Sequence, residues 1–143
     1  MVNAPFLAKE RGLDVREVRH DREGDYHTLV RVSVATPEGP RSVEGTLFGN
    51  AAARLVGMFG IRVEAELEGE MIFIVNEDTP GFIGRLGTLL GEAGVNIGTF
   101  SLGRREAGGE AVALVSVDSH IGPELVERLQ GLPGVKRVEP LRF

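Results

Sequence analysis

The chain has 143 residues, of which 42% are hydrophobic, so it is long enough to bury one domain of average size or two small ones. Its formal net charge of −5 is shared by both halves, and no basic arm or stripe is available to neutralise phosphates, which argues against DNA or RNA binding. Because the sequence contains no cysteine, thiol catalysis, disulfides and cysteine-ligated zinc are excluded.

Neither a membrane span nor a secretory signal is predicted. The longest apolar runs, such as "MIFIV" and "AVALVSV", have the length of strands and fall far below the roughly 18 residues of a spanning helix. The segment after Met1 lacks both the basic and the apolar region of a signal peptide. We therefore expect a cytoplasmic protein that does not associate with a membrane.

The first half of the chain predicts a short helix followed by a small antiparallel sheet. "APFLAKERG" has a proline suited to a first turn and a glycine suited to a C-terminal stop, which predicts a helix from about 5 to 11. "LDVREVRH" alternates imperfectly between apolar and polar residues, whereas "YHTLVRVSVAT" alternates well. "PEGP" and Phe59-Gly60 are typical of bends between strands. Residues 1–70 are therefore interpreted as one small, mostly antiparallel sheet domain.

The second half, residues 71–143, predicts the element order β-α-β-β-α-β. Met71 to Val75 is typical of a buried strand, and the following segment has apolar residues at three- and four-residue steps until Gly94 ends the helix. Two strands joined by "REAGGE", a second helix in "IGPELVERLQGL" and a last strand in "VKRVEPLRF" complete the order. This is the split βαβ arrangement, in which two helices cover one face of a four-stranded antiparallel sheet.

The first helix of this half begins within "NEDTPGFIGRLGTLLGEAGVNI", where Gly81, Gly84 and Gly87 follow one another at three-residue steps. A phosphate loop needs a lysine after its last glycine, and a dinucleotide loop needs the spacing G-x-G-x-x-G. Neither pattern is present, so nucleotide binding is disfavoured. The regular steps instead place the glycines along one stripe of the helix, where another backbone or a small ligand has room to approach.

Three polar side chains surround this helix, with Asn76 and Asp78 before it and Asn96 after it. Strand alternation turns Asn76 and Asp78 to the same side if the strand continues that far. Amides donate and accept, a carboxylate accepts, and a helix start offers free N–H groups, so the set suits a zwitterion. A simpler interpretation stays open, in which Asn76 and Asp78, or Thr79, cap a helix with Pro80 in its first turn, and Asn96 satisfies a turn.

No catalytic or metal-binding set is predicted. His20, His27 and His120 lack the spacing of a metal site, and no serine stands in a nucleophile elbow. Arg54, within the otherwise apolar "AAARLVG", is the one basic residue of the first half whose setting suits an anion. A solvated charge at a sheet edge is the simpler interpretation of this arginine.

Four segments together resemble the C-terminal regulatory part of D-3-phosphoglycerate dehydrogenases, which are NAD-dependent enzymes of L-serine biosynthesis. They are "VNAPFLAKERG", "VEGTLFG", "NEDTPGFIGRLGTLLGEAGVNI" and "GGEAVALVSVD", and the resemblance runs along essentially the whole chain. It implies part of an allosteric-substrate-binding domain at residues 1–70 and a ferredoxin-like βαββαβ ACT domain at residues 71–143. The implied fold class is α+β, with the small antiparallel sheet domain preceding the ACT domain.

The resemblance also implies a ligand and a partner. ACT domains of this family pair and bind an amino acid at their interface, so L-serine or another small amino acid is expected to contact Asn76, Asp78 and Asn96 and to cause feedback inhibition. A homodimer or higher homo-oligomer is expected, with Asn96 of one chain close to Asn76 and Asp78 of the other. Arg54 matches one basic residue of an anion site in some members, whereas Glu66 and Ser116 occupy other positions of that site.

The catalytic and nucleotide-binding portion of the family has no counterpart in this sequence. We therefore expect that this chain alone is not a dehydrogenase and carries no cofactor or metal, and that NAD belongs to the full-length enzyme. Two other assignments remain open. One is an ACT-class amino-acid sensor of a different enzyme, such as an iron-sulfur L-serine dehydratase, and the other is a purely structural oligomerisation module.

Overall fold

The computed structural model describes residues 4–12, 28–37, 39–48 and 52–143 of the chain. Within these ranges, no helix combines the length and the apolar character of a membrane span. The helices and strands, in chain order, are α1 (Ala4–Glu10), β1 (Leu29–Thr36), β2 (Gly39–Phe48), β3 (Ala52–Met58), β4 (Ile61–Glu66), β5 (Glu70–Glu77), α2 (Phe82–Glu92), β6 (Ile97–Arg104), β7 (Glu110–Val117), α3 (Pro123–Gln130) and β8 (Val135–Arg142).

Strands β1 to β4 form one antiparallel sheet in which each strand pairs with the next along the chain. The predicted bend at "PEGP" is confirmed, since β1 ends at Thr36 and β2 begins at Gly39. The bend at Phe59-Gly60 is also confirmed: both residues have positive φ, 55° and 74°, as a tight hairpin turn between twisted strands requires. The predicted strand segment "LDVREVRH" lies outside the described residues.

Strands β5 to β8 form a second antiparallel sheet in the order β6-β7-β5-β8. The element order predicted for residues 71–143 is confirmed, and so is the α+β class of the chain. Gly94, with φ 70°, follows the end of α2 and donates its N–H to Gly91, as the sequence predicts for a helix stop. Edge strand β6 pairs with β7 alone among the described strands.

The second sheet has an apolar core on its helical face. Alternate residues of β5 and β7 face α2 and α3, because successive strand residues point to opposite sides of a sheet. The members of this helix-side core include Ile72, Ile74, Ala113 and Val115 from the strands and Phe82, Leu86, Leu90 and Leu129 from the helices, all nearly or completely buried.

The other face of the second sheet packs against the first sheet, which the sequence analysis did not predict. This inter-sheet core joins Leu55, Ile61 and Val63 of the first sheet to Met71, Phe73, Val75, Val112 and Leu114 of the second. Phe59, in the β3–β4 turn, meets Phe73 edge to face with 5.7 Å between ring centroids. The division into domains at residues 1–70 and 71–143 stays a prediction, because both sheets contribute to this one core.

The two sheets approach most closely where β4 crosses the end of β6. Gly103 lies so near β4 that a Cβ atom in its place would overlap the carbonyl oxygen of Arg62. Two residues later, Arg105 donates from Nη2 to the carbonyl oxygen of Phe59 over 2.9 Å. A side chain is therefore excluded at Gly103, and the end of β6 is fastened to the β3–β4 hairpin.

Gly103→Ala is expected to lower the free energy of unfolding by about 1–3 kcal/mol, because the new methyl group forces β4 away from β6. Gly87→Ala is the matched control: a Cβ there meets nothing within 4 Å, and alanine favours the helical conformation by about 0.5–1 kcal/mol. Denaturant unfolding of both variants measures the two effects. Equal stability of the two variants would contradict the close approach.

Candidate ligand pocket at the start of helix α2

A pocket of about 680 Å³ opens between the start of α2, the end of β6 and the β6–β7 loop. We call it the α2 pocket, and its lining includes Asn76, Asp78, Gly81, Ile83, Leu102, Arg104 and Gly108. Asn76 and Asp78 therefore lie together, as strand alternation predicts. Asp78 extends the strand ladder by donating its N–H to the Gly109 carbonyl over 2.8 Å.

The register of the second sheet places Asn76 and Arg104 on the same face. Ala111 of β7 is the partner of Asn76 on one side and of Arg104 on the other. Because directly paired residues point to the same side of a sheet, these three side chains form one row. Ala111 itself is completely buried, whereas Asn76 and Arg104 at the two ends of the row line the α2 pocket.

Asn76 is 1% exposed and has an unused hydrogen-bond acceptor. Its Nδ2 donates to the carbonyl oxygen of Glu77 over 2.8 Å. Its Oδ1 is buried and receives no hydrogen bond from any residue that the structure describes. A buried acceptor without a donor costs about 1–3 kcal/mol, so a ligand or a water that donates to Oδ1 stabilises this position.

Asp78 accepts two hydrogen bonds, both at Oδ2. Arg104 donates from Nη1 over 2.9 Å, and the backbone N–H of Gly108 donates over 3.3 Å. The Arg104 guanidinium, followed by the Gly108 N–H, lowers the pKa of the Asp78 carboxyl from its ordinary value. The carboxylate is therefore ionised at neutral pH, and Oδ1 accepts nothing from the described part of the chain.

Helix α2 begins without a side-chain cap, so the capping interpretation of Asp78 or Thr79 is wrong. Gly81 is the N-cap residue, with φ 84°, and Pro80 lies before the helix. The left-handed backbone at Gly81 and the engagement of Asp78 by Arg104 explain the absence of a cap. Within the described residues, the N–H groups of Ile83 and Gly84 have no acceptor, so the helix start presents free donors to the pocket.

The stripe of glycines in α2 has open space beside it. A Cβ atom added at Gly84 or Gly87 would meet nothing within 4 Å among the described residues. The prediction that another backbone approaches this stripe is therefore not fulfilled inside a single chain. Room for a ligand, the other predicted reason for the glycines, is present at Gly84, which lines the α2 pocket.

Asn96 is not part of the α2 pocket. It precedes β6, whereas Arg104 ends that strand, so about 25 Å of extended chain separates the two ends. Its exposed side chain donates from Nδ2 to Asp118 over 2.8 Å, and Asp118 returns a backbone hydrogen bond to the Asn96 carbonyl. Within one chain, Asn96 thus joins the start of β6 to the end of β7, and its contact with a ligand stays a prediction.

Arg54 lies on the first sheet, next to an acidic neighbour. Its Nη2 donates to Glu66 on the adjacent strand, and its guanidinium lies 5.6 Å from the centroid of the Phe48 ring. Glu66 therefore already compensates the charge of Arg54. Ser116 occupies another position where the resemblance implies a basic residue of the anion site, and its Oγ accepts a hydrogen bond from the Thr99 N–H. An anion contact at Arg54 stays a prediction.

Arg104 is a pocket residue that the sequence does not predict. Nothing in the local pattern distinguishes Arg104 from Arg105, and the glycine-containing loop after them permits more than one hairpin register. Only the observed pairing with Ala111 puts Arg104 in the row of Asn76 and sends Arg105 to the first sheet.

The described residues contain no cluster of histidine and acidic side chains suited to a metal ion. His120 is exposed and lies 3.3 Å from a carboxylate oxygen of Glu70. His20 and His27 lie outside the described residues.

Two family models match the chain in succession. The D-3-phosphoglycerate dehydrogenase intervening domain matches residues 1–59, and the ACT domain matches residues 71–134. The chain is therefore a regulatory unit in which an intervening domain precedes an ACT domain. More particularly, it belongs to the C-terminal regulatory region of the D-3-phosphoglycerate dehydrogenase family.

The chain is similar to D-3-phosphoglycerate dehydrogenases from bacteria and archaea. The D-3-phosphoglycerate dehydrogenase of Bacillus subtilis is 33% identical over 138 residues, which cover 96% of this chain and 26% of that protein. That of Methanocaldococcus jannaschii is 32% identical with the same coverage. That of Archaeoglobus fulgidus is 33% identical over 94% of this chain and 26% of the relative. The chain thus spans about a quarter of these relatives.

Arg104→Gln is expected to raise the pKa of Asp78 towards its ordinary value, because the guanidinium is the main cause of the lowering. In the wild type, the folded pKa lies below the unfolded one. The stabilising contribution of ionised Asp78 is therefore complete above the ordinary aspartate pKa and is lost as pH falls through the lowered value. An NMR titration of the Asp78 carboxyl carbon measures the shift, with Arg105→Gln as the matched control. An unchanged Asp78 pKa in Arg104→Gln would contradict this assignment.

Proposed function

We propose that the α2 pocket binds L-serine and that this binding regulates an attached D-3-phosphoglycerate dehydrogenase by feedback inhibition. The observation that carries the proposal is the buried, donor-less Oδ1 of Asn76 beside the ionised carboxylate of Asp78. An α-ammonium group supplies donors for Asn76 Oδ1 and for Asp78 Oδ1, which accepts nothing from the described residues. The ligand carboxylate then faces the positive side of the pocket, which is formed by Arg104 and the start of α2.

A second copy of the chain completes the site in this proposal. Among the described strands β6 pairs on one edge only, so its other edge is available for antiparallel pairing with the β6 of another chain. Such a pair places the beginning of one β6 beside the end of the other, so the partner's Asn96 comes next to the α2 pocket. The separation of Asn96 from Asn76 within one chain agrees with a ligand that bridges two chains.

Regulation follows because a ligand that bridges two chains stabilises one packing of the dimer. Coupling energies between sites are typically about 1–3 kcal/mol, which changes an activity several-fold or more. Gly103 and Arg105 join the pocket strand β6 to the β3–β4 hairpin, so a shift of β6 reaches the first sheet directly. In this proposal the dehydrogenase chemistry and NAD belong to a catalytic portion, and this chain contributes only regulation. Cytoplasmic localisation stays a prediction.

Calorimetry with L-serine is expected to give saturable heat with the wild-type chain and binding weakened about tenfold or more in Asn96→Ala. Ser119→Ala is the matched control, because Ser119 is an exposed polar residue next to Asp118 and lies outside the α2 pocket. Sedimentation in parallel is expected to give a multiple of the 15.4 kDa chain mass. A dimer that gives no heat with L-serine would favour the purely structural module instead.

Asn76→Leu is expected to abolish L-serine binding without lowering the melting temperature of the ligand-free chain. Leucine has the same branched heavy-atom skeleton, although it is larger, and it removes the unsatisfied Oδ1 from the core. Differential scanning calorimetry with and without L-serine separates the two effects. A large loss of ligand-free stability would mean that Asn76 serves the fold rather than the ligand.

A further inference from the structure

The ion pair between Arg104 and Asp78 lies at the mouth of the α2 pocket and is open to solvent. The Arg104 side chain is 58% exposed and that of Asp78 is 21% exposed, with 2.9 Å between their charged atoms. Because water and salt screen an ion pair whose guanidinium is exposed, the pair adds little stability and separates at little cost. Arg104 is thus a cation at the mouth of the pocket that can leave Asp78 and pair with another anion.

The position of Arg104 allows it to reach a ligand as well as Asp78. It stands two strands away from Asn76 in the row that passes through Ala111, at a distance of about 10 Å between backbones. Asn76, Asp78 and Arg104 all line the α2 pocket, so a ligand whose ammonium lies beside Asn76 and Asp78 has its other end within reach of Arg104. A guanidinium binds a carboxylate through two parallel hydrogen bonds, which a lysine does not reproduce.

We propose that Arg104 determines the specificity of the α2 pocket by exchanging Asp78 for the α-carboxylate of the ligand. In the ligand-free chain, the Arg104 guanidinium is hydrogen-bonded to the Asp78 carboxylate. On binding, the ligand ammonium takes the place of the guanidinium at Asp78, and the guanidinium turns to the ligand carboxylate. The inference rests on the proposed function and adds that the pocket selects free α-amino acids, which carry both charges, over amines and amides, which lack the carboxylate.

The exchange keeps every charge in the pocket paired. An amine without a carboxylate displaces Arg104 from Asp78 and leaves the guanidinium without an anion, whereas a free amino acid supplies both replacements. The start of α2 is the rival carboxylate site, through the N–H groups of Ile83 and Gly84. If the helix start alone held the carboxylate, Arg104 would have no influence on the choice between an acid and its amide.

The test compares L-serine with L-serinamide by calorimetry on the full 143-residue chain. The wild type is expected to prefer L-serine. Arg104→Gln is expected to weaken L-serine about tenfold or more and to leave L-serinamide unchanged or tighter, because the competitor for Asp78 is gone. Arg104→Lys is expected to fall between the two. Arg105→Gln, the matched control on the neighbouring residue, is expected to keep the wild-type preference, since its contact is to Phe59.

The outcomes separate this inference from the proposed function. If Arg104→Gln binds L-serine with wild-type affinity and keeps the preference for L-serine over L-serinamide, the inference is overturned. The proposal that the pocket binds L-serine is not affected by that result. No L-serine heat from the wild-type chain would overturn both. An NMR titration of wild-type Asp78 with L-serine gives a reading that does not depend on a variant's folding: its pKa is expected to stay lowered while the Arg104 Nε–H signal shifts. An unmoved Arg104 signal at saturation would overturn the exchange.

Discussion

Burial of β5 on both faces is the constraint on which the rest of the structure depends. Ile72 and Ile74 enter the helix-side core, whereas Met71, Phe73 and Val75 enter the inter-sheet core. A strand buried on both faces must be central, and β7 and β8 pair with its two edges accordingly. The helices α2 and α3 pack against one face of β5, and the first sheet packs against the other.

The α2 pocket is a direct result of where this apolar strand stops. Asn76 continues the row of Ile72 and Ile74, so it inherits their burial although it is polar. The row ends at Asn76, which lies beneath the start of α2, so this buried position is next to a helix N-terminus. A polar acceptor is thereby held in a place of low dielectric constant, where a hydrogen bond from a charged donor is stronger than in water.

The periodic features of this chain could be predicted from the sequence, and those that depend on register could not. Alternation located β5 and placed Asn76 and Asp78 on one side, and three- and four-residue steps located α2. The same alternation in β4 shows that Ile61 and Val63 are buried, but it does not say against which surface. The role of Arg104 depends on the β6–β7 register, and the glycine-containing loop sequence is compatible with more than one register.

The capping prediction failed for a related reason. A carboxylate just before a helix is suited to cap it, yet Asp78 is engaged across the sheet by Arg104 and Gly108. The hydrogen bond from Arg104, 26 positions away in the chain, outweighs the local tendency of Asp78 to cap the helix. Helix α2 therefore starts without a side-chain cap, and the N–H groups of Ile83 and Gly84 have no acceptor in the part of the chain that the structure describes.

The inter-sheet core has a consequence for how this regulatory unit can be moved between proteins. Residues 70–143 contain every element of a βαββαβ module, so they look like a portable part. Removed from the first sheet, they would present Met71, Phe73, Val75, Val112 and Leu114 to water as one continuous apolar surface. A transplant or an evolutionary fusion therefore has to carry the antiparallel sheet along with the module, or replace it with another apolar cover of the same shape.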